Sequence, residues 1–299
     1  MTAATESDAG QYVLDERYYN LGQEETAFFK AQTGIHNDDE LKTHILAIQE
    51  KAWKIHPYRC IRRFAFTSLK ISRLPAYEQV LRLGRDHQDA ILLDIGCCFG
   101  NDIRKAVADG FPVSRALASD LHSEFWALGH DLFNSTPESF PAKFIAGDAF
   151  NDAHLQIVPP SYEEMKGPFP PLTAITSLNA LHGRVSAIHA SSLFQLFGED
   201  MQLHLARGLA GLLSSEPGSV IFGSHGGRPE KGYRTELLNS SNTYMFCHNS
   251  ESWSALWDGE IFKKGTVRVD AELQEVQRVD LTRSSDAKFH LLVWSVTRL

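Results

Sequence analysis

The run Ile91-Leu92-Leu93-Asp94-Ile95-Gly96-Cys97-Cys98-Phe99-Gly100-Asn101-Asp102 constrains the fold of this chain more than any other feature. An apolar segment of strand length, residues 90–95, runs into a glycine turn and then into a helix predicted over about 102–109. Glycines at such a turn let a ligand approach the backbone closely, and the helix start presents backbone N–H groups. A dinucleotide fingerprint wants G-x-G-x-x-G. Counted from Gly96, its second and third glycine positions hold Cys98 and Asn101, which weakens that reading. What stands is an acid two residues before one glycine and a second glycine four residues on: D-x-G-x-x-x-G.

The texture around this run repeats. Short apolar strands are expected at 116–120, 142–146, 185–190 and 219–223, with helices at 122–134, 172–182 and 199–213 between them. Strands alternating with helices of this length argue for a parallel sheet covered on both faces. The tail breaks the rhythm. Residues 266–276 and 288–297 both read as strands, joined through Arg283-Ser-Ser-Asp286, and so as an antiparallel hairpin. Ahead of the sheet, helices are expected at 23–33 and 38–56, the second ended by Pro57, and again over 58–84 with a break at Pro75. The 299 residues therefore divide into a helical N-terminal cap or lid, 1–85, and a core, 86–299, with an inserted cap at 226–265.

Charge and cysteine usage exclude other classes. With 29 basic against 37 acidic residues the net charge is -8, and a general basic footprint for nucleic acid is absent. The same balance disfavours an anionic membrane surface. Cys60, Cys97, Cys98 and Cys247 form no C-x-x-C pair, so neither a zinc site nor a disulfide framework is expected. No signal peptide or membrane span is visible in the sequence, so a cytoplasmic protein is expected, working as a monomer or homodimer.

The D-x-G-x-x-x-G run resembles motif I of class I S-adenosylmethionine-dependent methyltransferases. Asp120, ending the second strand, and Asp148, following the third in Gly147-Asp-Ala-Phe150, fall where that resemblance wants acids. More of the chain is similar to the fungal secondary-metabolite methyltransferases of meroterpenoid pathways. The similarity runs through Gly183-Arg-Val-Ser-Ala-Ile-His189-Ala-Ser-Ser-Leu-Phe-Gln-Leu-Phe197, through Pro217 to Pro229 around His225, and through His248-Asn-Ser-Glu-Ser-Trp253 with Trp257. The resemblance covers roughly residues 15–297. It implies an α/β, Rossmann-like class I methyltransferase fold: a mostly parallel seven-stranded sheet with a C-terminal antiparallel hairpin and a helical N-terminal cap. It implies S-adenosyl-L-methionine as cofactor, S-adenosyl-L-homocysteine as its product and no metal. Asp94, Gly96, Cys97, Gly100, Asp120, Leu121, Asp148, Ala149, Phe150 and His189 would line the cofactor. Asp120 would take the ribose hydroxyls and Asp148 the adenine amino group. Relatives of this kind are associated with methyl esters on carboxyl groups of polyketide-derived intermediates. Gln195 departs from the pattern, because many relatives carry His there.

The acceptor decides what else the site needs. A carboxylate, with a pKa of about 4, is already ionised, whereas a phenol near 10 benefits from a base. His189 and His225, at the ends of the fourth and fifth strands, are the candidate catalytic groups. Each could instead be a structural strand-end or turn histidine. Ser191, Ser192 and Gln195 are candidate substrate ligands, although the serines would equally cap the next turn. Arg59 and Arg62 could clamp a carboxylate bidentately or line a solvated helix face. Tyr58 is a candidate lid residue or simple core. Trp253 and Trp257, in the aromatic-rich segment 226–265, could line an apolar pocket or fill the cap's own core. The expected function is O-methylation of a small secondary metabolite, on a carboxyl or phenolic oxygen of an aromatic polyketide-like acid. Methylation of nitrogen or carbon, a non-catalytic cofactor-binding regulatory subunit, and a nicotinamide oxidoreductase are the alternatives.

Overall fold

The structure, a computed structural model, describes residues 13–165, 171–238, 244–276 and 288–299. The chain opens with helices α1 (Gln23–Thr33) and α2 (Asp38–Ile55), followed by the four-residue α3 (Arg59–Arg62) and α4 (Tyr77–Asp86). Asn37 starts α2 because its side chain accepts the backbone N–H groups of Asp39 and Glu40. Pro57 stands just beyond its last turn. The expected long helical stretch over 58–84 is broken up. Phe64 adopts a left-handed conformation (φ 55°), and 3-10 turns at Ala65–Thr67 and Ile71–Arg73 precede α4.

The core then alternates: β1 (Leu92–Ile95), α5 (Asn101–Ala108), β2 (Ala116–Asp120), α6 (Ser123–Leu132), β3 (Lys143–Ala146), β4 (Ala187–His189), α7 (Glu199–Leu212) and β5 (Val220–Gly227). A small hairpin, β6 (Gly232–Leu238) and β7 (Tyr244–Cys247), and helix α8 (Ser250–Trp257) follow. β8 (Val267–Val276) and β9 (Phe289–Arg298) end the chain; the turn residues 283–286 lie outside the described residues. The seven-stranded sheet has the order β3-β2-β1-β4-β5-β9-β8, with β1 to β5 parallel and β9 antiparallel to both neighbours. This is the class I methyltransferase architecture, terminal hairpin included.

Two expectations need correction. The predicted helix over 172–182 is a pair of 3-10 turns, Leu172–Ala174 and Leu178–Leu181. The fifth strand does not stop at Gly223: β9 pairs along it from Val220↔Thr297 to Gly227↔His290, so His225 is a strand residue and not a loop residue.

One sheet face packs on α4 and α5 through Val80, Leu81, Ile103 and Ala106 against Leu92, Ala118 and Phe222. The other packs on α7 and α8, with Leu205, Leu209, Trp253 and Trp257 against Leu93, Ile188 and Ile221. A third cluster joins the N-terminal helices (Phe29, Ile45, Ile48, Ile61) to α6 and to Phe99, in the middle of the glycine turn. The N-terminal helices are thereby packed onto the loop that bears the principal motif. Strand order reverses between β1 and β4, which makes the crevice beyond their carboxyl ends the place where an open α/β sheet binds ligands.

Candidate active site

The turn after β1 takes left-handed backbone at alternate residues: Gly96 (φ 73°), Cys98 (φ 52°) and Gly100 (φ 72°). Cys98 thus occupies a glycine-like conformation without being glycine. That accounts for the missing middle glycine. Its strain is offset locally, because the Cys98 N–H donates to Asp120 Oδ2 at 2.8 Å. A Cβ at Gly100 would lie 2.5 Å from the Trp126 ring, and one at Gly96 would lie 3.0 Å from Leu193 Cδ1. Gly100 therefore serves α6 packing, and Gly96 lets the loop after β4 close onto the turn. Cys97 is buried, and burial pushes its thiol well up, so it is a packing residue of the turn and not a nucleophile.

Asp120 ends β2, its Oδ1 accepting the His122 N–H at 3.0 Å while Oδ2 takes Cys98. Burial raises its carboxyl pKa while these backbone bonds lower it. Each carboxylate oxygen accepts one N–H and keeps capacity for a second donor. Two ribose hydroxyls are such donors, so the residues present fit the nucleoside. Leu121, next to it, is half-exposed at the crevice edge. Beyond β3, Asp148 Oδ1 accepts the Phe150 N–H at 3.0 Å, and the Phe150 ring meets Phe197 edge-on at 4.7 Å. Ala149 lies between them, partly buried. His154, which sequence reasoning missed, bonds Ser119 Oγ at 3.1 Å and fills the space over Gly147, where a Cβ would sit 2.2 Å from its Nδ1.

At the switch point Asp94 and His189 are register partners on adjacent parallel strands, so their side chains share a face. His189 Nδ1 lies 2.8 Å from Asp94 Oδ1, and Nε2 lies 2.8 Å from Ser191 Oγ. Ser191 Oγ also accepts the Ser224 N–H at 3.2 Å. His189 is 1% exposed, Asp94 3% and Ser191 8%. Asp94 is therefore held on His189 within the sheet, and His189 is enclosed with both nitrogens engaged. Asp102 on α5, also missed, is a second buried carboxylate nearby. Burial pushes its carboxyl up while His189 and Lys70 pull it down, and it accepts the Ile71 N–H at 2.9 Å. Ser192 is held at φ 60° with its N–H 2.7 Å from the Ser224 carbonyl.

The N-terminal segment covers the other side. Tyr58 stands 4.0 Å from the His56 ring and 6.0 Å from His122, the residue two beyond Asp120. Burial raises its phenol pKa, and the Asp120 charge adds to that. Tyr58 thus belongs with Asp120. His56 and His122, which nothing in the local sequence singles out, stack at 5.3 Å. Arg59 lies in the first turn of α3, while Arg62 Nε donates to the Val13 carbonyl and its guanidinium covers the Tyr18 ring, both in the N-terminal segment. Gln195 Oε1 accepts the Gly226 N–H at 2.9 Å, tying the β4 loop to β5.

Three candidates are displaced. His225 is fully buried; its Nδ1 accepts the Trp294 indole N–H at 2.9 Å, and its ring packs among Phe194 and Trp253. Burial, with His248 adding to it, pushes its pKa down to about 3, so it is a neutral core residue and no substrate-facing base. Trp253 and Trp257 have no exposed surface, because α8 folds back and inserts both rings into the core beside Trp294. These histidines carry a pH prediction. His248, Nδ1 bonded to Ser252 Oγ, is likewise pushed down to about 4, by burial first. Both take up a proton on unfolding below their ordinary 6.5, so their contribution to stability is complete above pH 6.5 and is lost as pH falls toward 4 and 3. The slope is on the order of 1 kcal/mol per pH unit for each group. The fall in melting temperature from pH 7 to 5 should shrink in His225→Gln and His248→Gln; parallel wild-type and variant curves would show the pair does not set it.

Among the described residues no group of three or more His, Cys, Asp or Glu side chains could hold a metal ion, and no helix is long and apolar enough to cross a membrane. Residues 15–67 match the family model for the meroterpenoid methyltransferase N-terminal domain. The asnovolin E/chermesin D methyltransferase nvfJ of Aspergillus novofumigatus is 31% identical over 73% of this chain and 69% of its own length. The O-methyltransferase phiE of a fungal species is 29% identical over 74% of this chain and 66% of its own. The methyltransferase ausD of Aspergillus calidoustus is 26% identical over 92% and 89%. A solved N1-methyltransferase of Burkholderia thailandensis, bound to 1,6-didemethyltoxoflavin and S-adenosylhomocysteine, superposes with a TM-score of 0.47 at 15% identity, over 85% of this chain and 89% of that one. With the family model and the nvfJ relative added to the sheet order and the turn geometry, the chain belongs to the fungal secondary-metabolite methyltransferases, S-adenosylmethionine-dependent enzymes of the class I fold.

Proposed function

We propose that this enzyme methylates an oxygen of a small secondary metabolite, a carboxyl or phenolic oxygen of an aromatic polyketide-like acid. The observation that carries oxygen as acceptor is the hydrogen-bonded chain Ser191–His189–Asp94 at the crevice end of β4. A chain ending in a carboxylate suits an acceptor that is a weak oxygen acid, whose proton must leave as the new bond forms. Two relatives are named O-methyltransferases, which supports the same reading. S-adenosylmethionine supplies a methyl group on a sulfonium, which needs in-line approach and a dry pocket. On this reading Gly96 to Gly100, Asp120, Asp148 and Phe150 hold the nucleoside. Tyr58 and the helical segment 13–85 close over it, and the hairpin of segment 226–265 borders the acceptor side. The acidic balance, 37 against 29, supports a small-molecule partner over nucleic acid. Incubating the full chain with methyl-13C S-adenosylmethionine and a panel of hydroxylated aromatic acids tests the reading. The label is expected in the methoxy or methyl-ester region of the carbon spectrum. Label on nitrogen or on ring carbon would overturn it.

A further inference from the structure

We propose that Arg234 is the specificity-determining residue of the acceptor side, its guanidinium receiving, together with the side-chain amide of Gln195, the carboxylate of an aromatic acid. The proposal rests on the reading above for the acid class of the acceptor and names the groups that recognise it.

Arg234 lies on β6 opposite Met245 on β7, so the two side chains share one face of the hairpin. That face lies against Gly226 of β5. A Cβ at Gly226 would be 2.6 Å from Met245 Sδ, 3.4 Å from Phe289 Cζ and 3.6 Å from Gln195 Oε1. The Arg234 guanidinium stands 4.7 Å over the same Phe289 ring. Gly226 shares its side of the sheet with Phe222 and Ser224. Phe222 meets the His189 ring at 5.3 Å, and the Ser224 N–H reaches Ser191. Arg234 and Gln195 therefore border the crevice at the carboxyl ends of β4 and β5, where an acceptor lies beside the methyl donor.

Arg234 is a buried charge without a counter-charge, 4% exposed. Nη2 donates to the Gly227 carbonyl at 3.0 Å, Nη1 reaches the Lys288 carbonyl only at 3.5 Å, and Nε has no partner. Among the described residues its acceptors are carbonyls, and no carboxylate pairs with it. Carbonyls take up N–H groups but not charge, and a buried charge is costly until an anion meets it. Arg104 and Arg298 are buried too, but each covers two aromatic rings, Phe133 and Phe140 or Tyr162 and Phe262, on other parts of the fold.

Gln195 supplies the second donor. The Gly226 N–H at 2.9 Å fixes the amide oxygen toward the strand, so the two N–H groups of Nε2 face elsewhere, without a partner among the described residues. The wall is open here. Gln195 and Met245 are each half-buried, and their neighbours Leu196 and Tyr244 are 56% and 42% exposed. A guanidinium fork beside an amide matches the two oxygens of a carboxylate. No proton moves at these residues, because a guanidinium is a permanent cation and an amide is neutral. Recognition is therefore the same whichever oxygen of the acid is methylated.

The test uses the full chain saturated with S-adenosylhomocysteine and two probes, 2,4-dihydroxybenzoate and its neutral amide, 2,4-dihydroxybenzamide. In calorimetry the wild type should bind the carboxylate at least about tenfold tighter, as expected for hydrogen bonds to a charged group. Arg234→Met should bind the two alike. Gln195→Glu keeps the oxygen that accepts the Gly226 N–H and replaces the donor with an anion. It should weaken the carboxylate about tenfold and leave the amide within about threefold, and it decides the question if Arg234→Met fails to fold. Affinity for S-adenosylhomocysteine should stay within about threefold in both variants, since neither loses a group assigned to the nucleoside. On the acid of the panel that is methylated, Arg234→Met should raise KM and leave kcat within about threefold. No preference in the wild type, equal losses on both probes, a fall in kcat at unchanged KM, or lost S-adenosylhomocysteine affinity in Gln195→Glu would overturn the assignment. A carboxylate preference with label on nitrogen or carbon keeps Arg234 as the carboxylate site and sinks the oxygen reading. Label on oxygen without that preference does the reverse.

Discussion

Asp120→Ala should weaken S-adenosylhomocysteine binding by roughly 100-fold in calorimetry, the worth of two hydrogen bonds to a charged acceptor. The carboxylate has two duties. It fixes the turn through the N–H groups of Cys98 and His122, and it presents its remaining lone pairs to the ribose. A double comparison separates them. Against the wild type, a 2′-deoxy analogue should lose about tenfold or more relative to S-adenosylhomocysteine; against Asp120→Ala the two ligands should bind alike. If the analogue is penalised equally in both proteins, the ribose contact lies elsewhere and Asp120 only builds the turn.

The second large effect is at Gly129 on α6. A Cβ there would lie 2.2 Å from the Phe99 carbonyl oxygen and 3.0 Å from its carbon, both backbone atoms of the glycine turn. Backbone cannot rotate away as a side chain does, so α6 or the turn must move. Overpacking of this kind costs about 3 kcal/mol, which lowers the melting temperature by roughly 5 °C or more in a chain of this size. Because Phe99 belongs to the cluster that binds the N-terminal helices, Gly129→Ala should also weaken S-adenosylhomocysteine, a ligand it never touches. Gly198→Ala is the control, since its Cβ would meet nothing closer than Tyr233 Oη at 3.6 Å. Equal melting temperatures for the two variants would mean that the close approach of α6 to the turn is not what limits this site.

The parallel core was legible because its signals are local. Apolar strands, glycine turns and helical spacing each announce themselves within ten or so residues, and Asn37 and Pro57 bracket α2 by their own chemistry. The failures share one cause, which is a partner distant in sequence. Gly223, Gly226 and Gly227 suggest a loop, which ends β5 early and puts His225 in the turn after it. In the fold these positions are glycine because other groups approach them closely. A Cβ would meet the Ala190 carbonyl at 2.7 Å, the Met245 sulfur at 2.6 Å and Leu273 at 2.6 Å respectively. Trp253 and Trp257 read equally as pocket or core until α8 is seen to turn inward. His189 could be recognised as a strand-end histidine, but not as one enclosed by Asp94 and Ser191, because that needs the register between β1 and β4. Tyr58 reads equally as lid or core, because no sign in the sequence says that it stands beside Asp120.

One measurement bears most directly on the central claim, that the crevice beyond the carboxyl ends of β1 and β4 is the methyl-donor site. It is a crystal structure of the full chain with S-adenosylhomocysteine. The account predicts ribose hydroxyls about 3 Å from both Asp120 oxygens, the amino-acid end over the Gly96–Gly100 turn, and the base between Asp148 and Phe150. A nucleoside bound away from Asp120, for instance in the cleft between α7 and α8 lined by Glu199, Lys231 and His248, would contradict it.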